Sequence, residues 1–272
     1  MNLKTLLALP KDIYKNRRLV WKLARNDFKT RYAGSYLGII WAFIQPIVTI
    51  LVYWFVFSVG FRQNTSSVGV PFVLYLVAGI VPWFFFQDAL IGGTNCLLEY
   101  NYLVKKVVFN ISVLPVVKIM AAVFVHGFFV LFTLLLYIAY GKFPDWYNLQ
   151  IIYYSICVFA LVLGISYATC AVVVFFRDLS QMINIALQVG VWLTPIMWVA
   201  EDALADHALL QRVLMLNPMY YIVSGYRDAF IMKRWFFEQP GWTLYFWGFT
   251  FVCFLFGNWV FKRLRVHFAD VL

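Results

Sequence analysis

Six stretches of this chain stay apolar for about as long as a helix needs to cross a lipid bilayer, and that pattern leaves little room for another fold. A hydrocarbon core of ~30 Å takes roughly 20 helical residues. Runs of that order lie at 37–60, 71–91, 111–140, 149–176, 179–199 and 242–261. The third and fourth exceed the requirement, so their ends extend past the lipid or tilt within it. None alternates in polarity as a lipid-facing barrel strand does. The expected fold class is therefore all-α integral membrane, with six transmembrane helices. Composition agrees: 64% of residues are apolar and 12% charged, whereas soluble chains sit near one half and one quarter. A disordered chain, a disulfide-stapled secreted domain and an ordinary soluble enzyme are excluded.

Lysine and arginine set the orientation. With both termini in the cytosol, sixteen of the 22 cations fall on the inner side and six on the outer. The twelve acids divide into five inside, six outside and Asp88 within a span. The inner face thus carries +11, the outer face none, and Asp88 brings the total to the net +10, which signals topology and a lipid surface, not nucleic acid. The first thirty residues lack the continuous apolar core of a cleavable signal peptide. Cys96, Cys157, Cys170 and Cys253 follow no metal-ligand spacing and avoid the external loops, so neither a metal site nor a disulfide is expected.

The segments between the spans carry more information. Residues 13–29 read as an amphipathic helix on the membrane surface, with Lys15, Arg18, Lys22, Arg25 and Lys29 on one stripe and Ile13, Val20, Leu23 and Ala24 opposite. The stripe is either a positive-inside anchor or a set of cations that also meets a phosphate-bearing substrate. Gly34 and Gly38 have the GxxxG spacing, which fits close helix approach or a tight bend. Residues 92–110 form an inner loop whose Leu97, Leu98, Tyr102, Leu103 and Val104 are more apolar than a solvated turn requires. They fit a partner's docking site or a helix resting on its own bundle.

Residues 201–240 lie outside and are long for a connector. Pro218 and Gly225 divide their apolar middle into two pieces too short to span, which suits either a re-entrant helical pair or a cap on the membrane. Catalytic chemistry is missing: there is no GxxxxGK[ST] nucleotide loop, no paired carboxylates and no nucleophile constellation. His126, inside the third span, fits a hydrogen bond within the bundle better than a proton relay. Catalytic and metal residues are thus expected to be none.

Asp27-Phe28-Lys29-Thr30-Arg31-Tyr32, then Ser35-Tyr36-Leu37-Gly38-Ile39-Ile40-Trp41 and Gln45-Pro46, resemble the approach to the first span in the type-2 ATP-binding-cassette (ABC) permeases that export lipid-linked O-antigen, capsule and teichoic acid. Ala78-Gly79-Ile80-Val81-Pro82-Trp83, Leu103-Val104-Lys105-Lys106, Phe176-Arg177-Asp178-Leu179, Thr194-Pro195-Ile196 and Leu216-Asn217-Pro218 continue the match through nearly the whole chain. The resemblance implies an interface segment at 1–36 and one permease domain at 37–272, working as a homodimer in the bacterial inner membrane. It also implies two copies of a separate ATPase subunit that binds the ATP and Mg, leaving no cofactor in this chain.

Coupling to that ATPase would run through the N-terminal helix and Leu97, Leu98, Glu99, Tyr102, Lys105 and Lys106. Arg25, Lys29, Arg31 and Tyr36 become candidates for receiving the substrate's phosphate. Trp41, Tyr53, Trp54, Trp83, Phe84 and Trp198 are candidates for a channel in which aromatic faces stack on sugars. The resemblance also implies short external helices, here around Asn217, Pro218, Tyr220, Tyr221 and Gly225. An ABC exporter of a drug or simple lipid, and a stand-alone channel or ion-coupled transporter, are the competing readings. Paired intramembrane charges or inverted repeats would mark the latter.

Overall fold

A computed structural model describes residues 15–31, 34–62, 69–104, 110–204 and 206–271, and every regular element among them is helical. A surface helix, α1 (Arg17–Thr30), comes first. The first span is α2 (Trp41–Trp54), extended by a π-type stretch over Phe55–Gly60. The bundle continues with α3 (Phe72–Glu99), α4 (Leu114–Ala139), α5 (Gln150–Val173) and α6 (Leu179–Leu193). Two short helices, α7 (Ala208–Met215) and α8 (Pro218–Arg227), precede the last span, α9 (Pro240–Leu264).

Among the described residues, five helical stretches are long and apolar enough to cross a membrane: Gly38–Gly60, Phe72–Glu99, Ile111–Ala139, Trp146–Val173 and Pro240–His267. The expected crossing at 179–199 departs from that pattern. Its helix has 15 residues, about 22 Å at 1.5 Å per residue, and stops at Leu193. Pro195 explains the stop. A residue preceding proline is pushed out of the helical region, and Thr194 is extended at φ −91° and ψ 127°. The irregular stretch that follows is buried at Thr194, Ile196 and Met197. A second correction concerns the inner loop: α3 runs two turns past residue 91, so Leu97–Glu99 form its last helical turn.

Burial ranks the helices. The most apolar window of α3 is 78% buried, against 11% for that of α2. Packing among α4, α5 and α8 puts α3 at the centre of the bundle. By contrast α2 leaves Val48, Leu51, Val52 and Phe55 exposed. The tightest seam joins α5 to α9. A Cβ on Gly257 would collide with the Gly164 carbonyl oxygen, and one on Gly164 would lie 2.9 Å from the Phe254 nitrogen. Small residues there let two backbones approach. The Gly34/Gly38 spacing does something else. Both residues have positive φ, +90° and +53°, and they make a tight bend into α2.

The two ends of the bundle differ. At one end α1 buries Val20 and Ala24 against Val113, Val116, Val117 and Ala121 of the α4 entrance, while Lys15, Arg18, Lys22, Arg25 and Lys29 face outward. The opposite end holds α7 and α8. Helix α8 is inserted into the main core through Met219, Ile222, Val223 and Tyr226. Helix α7 leaves Leu209, Leu210 and Val213 exposed. All four cysteines are free.

Candidate functional site

Helices α2, α3, α4 and α6 line a half-open cavity of about 510 Å³ between the exposed first span and the α3 centre of the bundle. Trp41, Tyr53, Trp83 and Phe84, four of the six expected channel aromatics, line it. Trp54 lies outside it, half-exposed on α2. Trp198 also lies outside and belongs to the irregular stretch after α6. Its indole Nε1 donates to the Trp192 carbonyl at 3.3 Å, and its own carbonyl accepts from Tyr75 Oη at 3.2 Å. Trp83 is almost fully enclosed and rests on Gly190 of α6, where a Cβ would come within 2.9 Å of the ring.

At the α1 end of the cavity, Arg31 Nη1 donates to both carboxylate oxygens of Asp88 at 2.8 Å. The charge within the α3 run is therefore paired with the cation that follows α1. Both residues line the cavity, so its mouth carries no net charge from this pair. The other residues expected to receive phosphate remain at the surface: Arg25 and Lys29 face outward from α1, and Tyr36 is fully exposed.

Beside the mouth lies a second ionic cluster. Lys118 Nζ, on α4, donates to Asp27 Oδ1 of α1 and to Glu99 Oε2 at the end of α3, each at 2.5 Å. Tyr100 Oη donates to the same Asp27 oxygen at 2.7 Å. Burial first, then the bond to the Asp27 carboxylate, raises the Tyr100 phenol well above its ordinary range, so the group remains a donor. Three elements thus meet on one buried ammonium. The sequence offered a signal for this, a lysine and an aspartate on otherwise apolar faces, but not which groups pair.

The expected coupling residues adjoin this cluster. Leu97 is fully buried among Cys96, Tyr167 and Cys170. Leu98 is partly exposed, while Glu99 and Tyr102 are exposed. Lys105 and Lys106 lie outside the described residues.

Deeper in the bundle, His126 Nε2 lies 3.0 Å from both Ser155 Oγ and Tyr226 Oη, which are themselves 2.8 Å apart. The triangle ties α4 to α5 and α8, and the imidazole stacks on Phe85 with centroids 4.5 Å apart. Among the described residues no three His, Cys, Asp or Glu side chains gather as a metal site.

At the opposite end, Arg227 is 7% exposed. Its Nη1 donates to the Pro195 carbonyl at 2.6 Å and its Nη2 to that of Ile196 at 2.8 Å. Its guanidinium carbon lies 3.6 Å from the Tyr75 ring centroid. One cation therefore satisfies main-chain groups that the proline break in α6 leaves without helical partners. Gly79 makes the space, since a Cβ there would sit 2.9 Å from Arg227 Nη2.

The short helices expected between the last two spans adjoin the same break, but α8 runs unbroken through Gly225, so the chain divides before Pro218 and not at the glycine. The Asn217 side chain accepts from Met219 N at 3.0 Å, capping α8 above Pro218, and donates to Thr194 Oγ1 at 2.9 Å. Tyr221 Oη bonds Tyr153 Oη and Thr243 Oγ1. Gly225 lets the Tyr154 ring lie directly against α8. A second cavity, of about 570 Å³, lies beneath, with Tyr220, Tyr221 and Arg227 in its walls.

Two comparisons place this geometry among known proteins. The profile of the ABC-2 type transporter family matches residues 18–231. The O-antigen export system permease protein RfbA of Myxococcus xanthus is 28% identical over 229 residues, covering 84% of this chain and 86% of that protein. A protein of the same name from Klebsiella pneumoniae is 26% identical over 257 residues, covering 92% of this chain and 93% of its own length.

Proposed function

The chain belongs to the ABC-2 type transporter family, and from that premise we propose that it exports a lipid-linked O-antigen polysaccharide across the bacterial cytoplasmic membrane. The names of the relatives favour O-antigen over capsule and teichoic acid. In this reading two copies of the chain pair in the membrane above two copies of a separate ATPase, which binds ATP and Mg. The α1 end, with its outward basic stripe, faces the cytosol, and α7 and α8 face the exterior.

The observation that carries the reading is the aromatic cavity entered beside a neutralised ion pair. A polyprenyl-linked glycan can keep its lipid in the bilayer while its sugars need a sheltered path. Aromatic faces stack on sugar rings without demanding one hydrogen-bond pattern, so many similar contacts permit sliding. Force would reach the bundle through Leu98, Glu99 and Tyr102, which adjoin the Lys118 cluster and thereby α1 and α4.

Co-purification with the ATPase, followed by ATP hydrolysis in proteoliposomes with and without polyprenyl-diphosphate-linked glycan, tests this. Stimulation by the glycan is expected, and export that persists after the ATPase is deleted overturns the reading. Leu98→Asp combined with Tyr102→Asp should abolish assembly with the ATPase while leaving membrane insertion intact. Undiminished assembly removes this segment from the coupling route.

A further inference from the structure

Three glutamines reach the half-open cavity from three different helices, and each stands four residues from a tryptophan that lines the same space. The pairs are Trp41 with Gln45 on α2, Trp83 with Gln87 on α3, and Gln188 with Trp192 on α6. At that spacing two side chains share one helix face, so each helix presents an indole and an amide together. Gln87 lies twelve residues, about 18 Å, from the Glu99 end of α3, and Gln188 nine residues, about 14 Å, from the start of α6. These amides therefore sit at membrane depth, where an unpaired polar group is costly unless it faces protein or water. Among the described residues none of the three amides has a hydrogen-bond partner, unlike those of Asn217 and Gln150; Gln45 and Gln188 are exposed and Gln87 is partly buried, so the amides are open to the cavity and not sealed in protein.

Charge narrows what could occupy such a space. Among the described residues, the Asp, Glu, Lys and Arg lining it are Arg31 and Asp88, which bind each other. A neutral amide donates and accepts, so it can exchange partners along a row of hydroxyls. It offers no counter-charge to repay the desolvation of a phosphate. We propose that these three amide–indole pairs form the hydroxyl-recognising lining of the path, favouring uncharged, hydroxyl-rich sugar segments over polymers with a phosphate in every repeat. This rests on the polysaccharide-export reading above and adds residues and a substrate class to it.

The test uses the full chain with its ATPase in proteoliposomes. One probe is a polyprenyl-diphosphate-linked neutral hexose oligosaccharide, and the other is a polyol-phosphate chain on the same carrier. Wild-type protein should respond to the neutral glycan at the lower concentration. Gln87→Leu with Gln188→Leu should raise the half-maximal concentration of neutral glycan roughly ten- to thirty-fold, as expected for losing two hydrogen-bonding groups. Gln181→Leu, on the same helix and exposed like Gln188 but outside the cavity lining, should titrate like wild type.

A double variant that titrates like wild type overturns the inference, as does equal wild-type response to the polyol-phosphate chain. Loss of self-association in the double variant also overturns it, since the amides would then belong to an interface between copies. Absence of any wild-type response to either glycan defeats the polysaccharide reading itself and this inference with it.

Discussion

Two buried cations hold opposite ends of this bundle by different means. Lys118 is ringed by side chains from separate elements, Asp27 of α1 and Glu99 of α3, and Glu99 is half-exposed at 51%. Arg227 instead grips main-chain carbonyls of a broken helix and stacks on Tyr75, in a notch left by Gly79. The Lys118–Glu99 contact can be remade as the elements shift, because Glu99 is a side chain with one face to solvent, while Asp27 stays buried beneath the same ammonium. A cation on backbone carbonyls has no such freedom, since main-chain groups cannot swing to another partner as side chains do. The first arrangement suits a place where an external motor would push, and the second a structure that must hold still.

That contrast fixes an order of expected effects. Arg227→Leu should be the most damaging change, because it strips two buried main-chain carbonyls of their donor at about 1–3 kcal/mol each and removes the cation stacked on Tyr75. Little folded protein should survive detergent extraction, judged by size-exclusion chromatography, and a monodisperse wild-type-like peak would show that the carbonyls find other partners. Lys118→Met should follow. It leaves the Asp27 carboxylate buried without its counter-charge, a loss on the order of 3–5 kcal/mol. Adding Asp27→Asn should restore most of the thermal stability, and failure to restore it would mean that packing, not charge, holds α1.

Gly79→Val tests the notch. It crowds the guanidinium from the opposite side at a cost of about 1–3 kcal/mol, so its melting temperature should fall between those of wild type and Arg227→Leu. The smallest effect belongs to Glu99→Gln. With half of that side chain in solvent, the change in stability should stay within ~1 kcal/mol. A larger drop in thermal melting would mark Glu99 as a structural partner of Lys118 and erase the distinction drawn between the two ends.

Both sites also show where reading the chain succeeded and where it stopped. The outward basic stripe of α1 followed from helical periodicity, since Lys15, Arg18, Lys22, Arg25 and Lys29 are all exposed. Periodicity said nothing of Asp27, which lies on the buried face and finds its partners 73 and 91 residues away. Charge counting put Arg227 among the external cations, although an arginine in the apolar run after Pro218 was itself a signal. The glutamines were legible as letters, and their four-residue spacing to tryptophan is written in the sequence. Only the convergence of α2, α3 and α6 on one cavity gives that spacing meaning.

Hydropathy along the chain was enough to establish an all-helical membrane bundle, with five of the six expected runs forming long apolar helices among the described residues, because transfer into lipid depends on residue type summed over a window. Folding in three dimensions decided the rest: a bend at Gly34 and Gly38, a close seam at Gly164 and Gly257, a truncated α6 and the cation that repairs it. Those outcomes depend on which backbones meet and which polar groups then lack a partner, and neither is a property of any single window of residues.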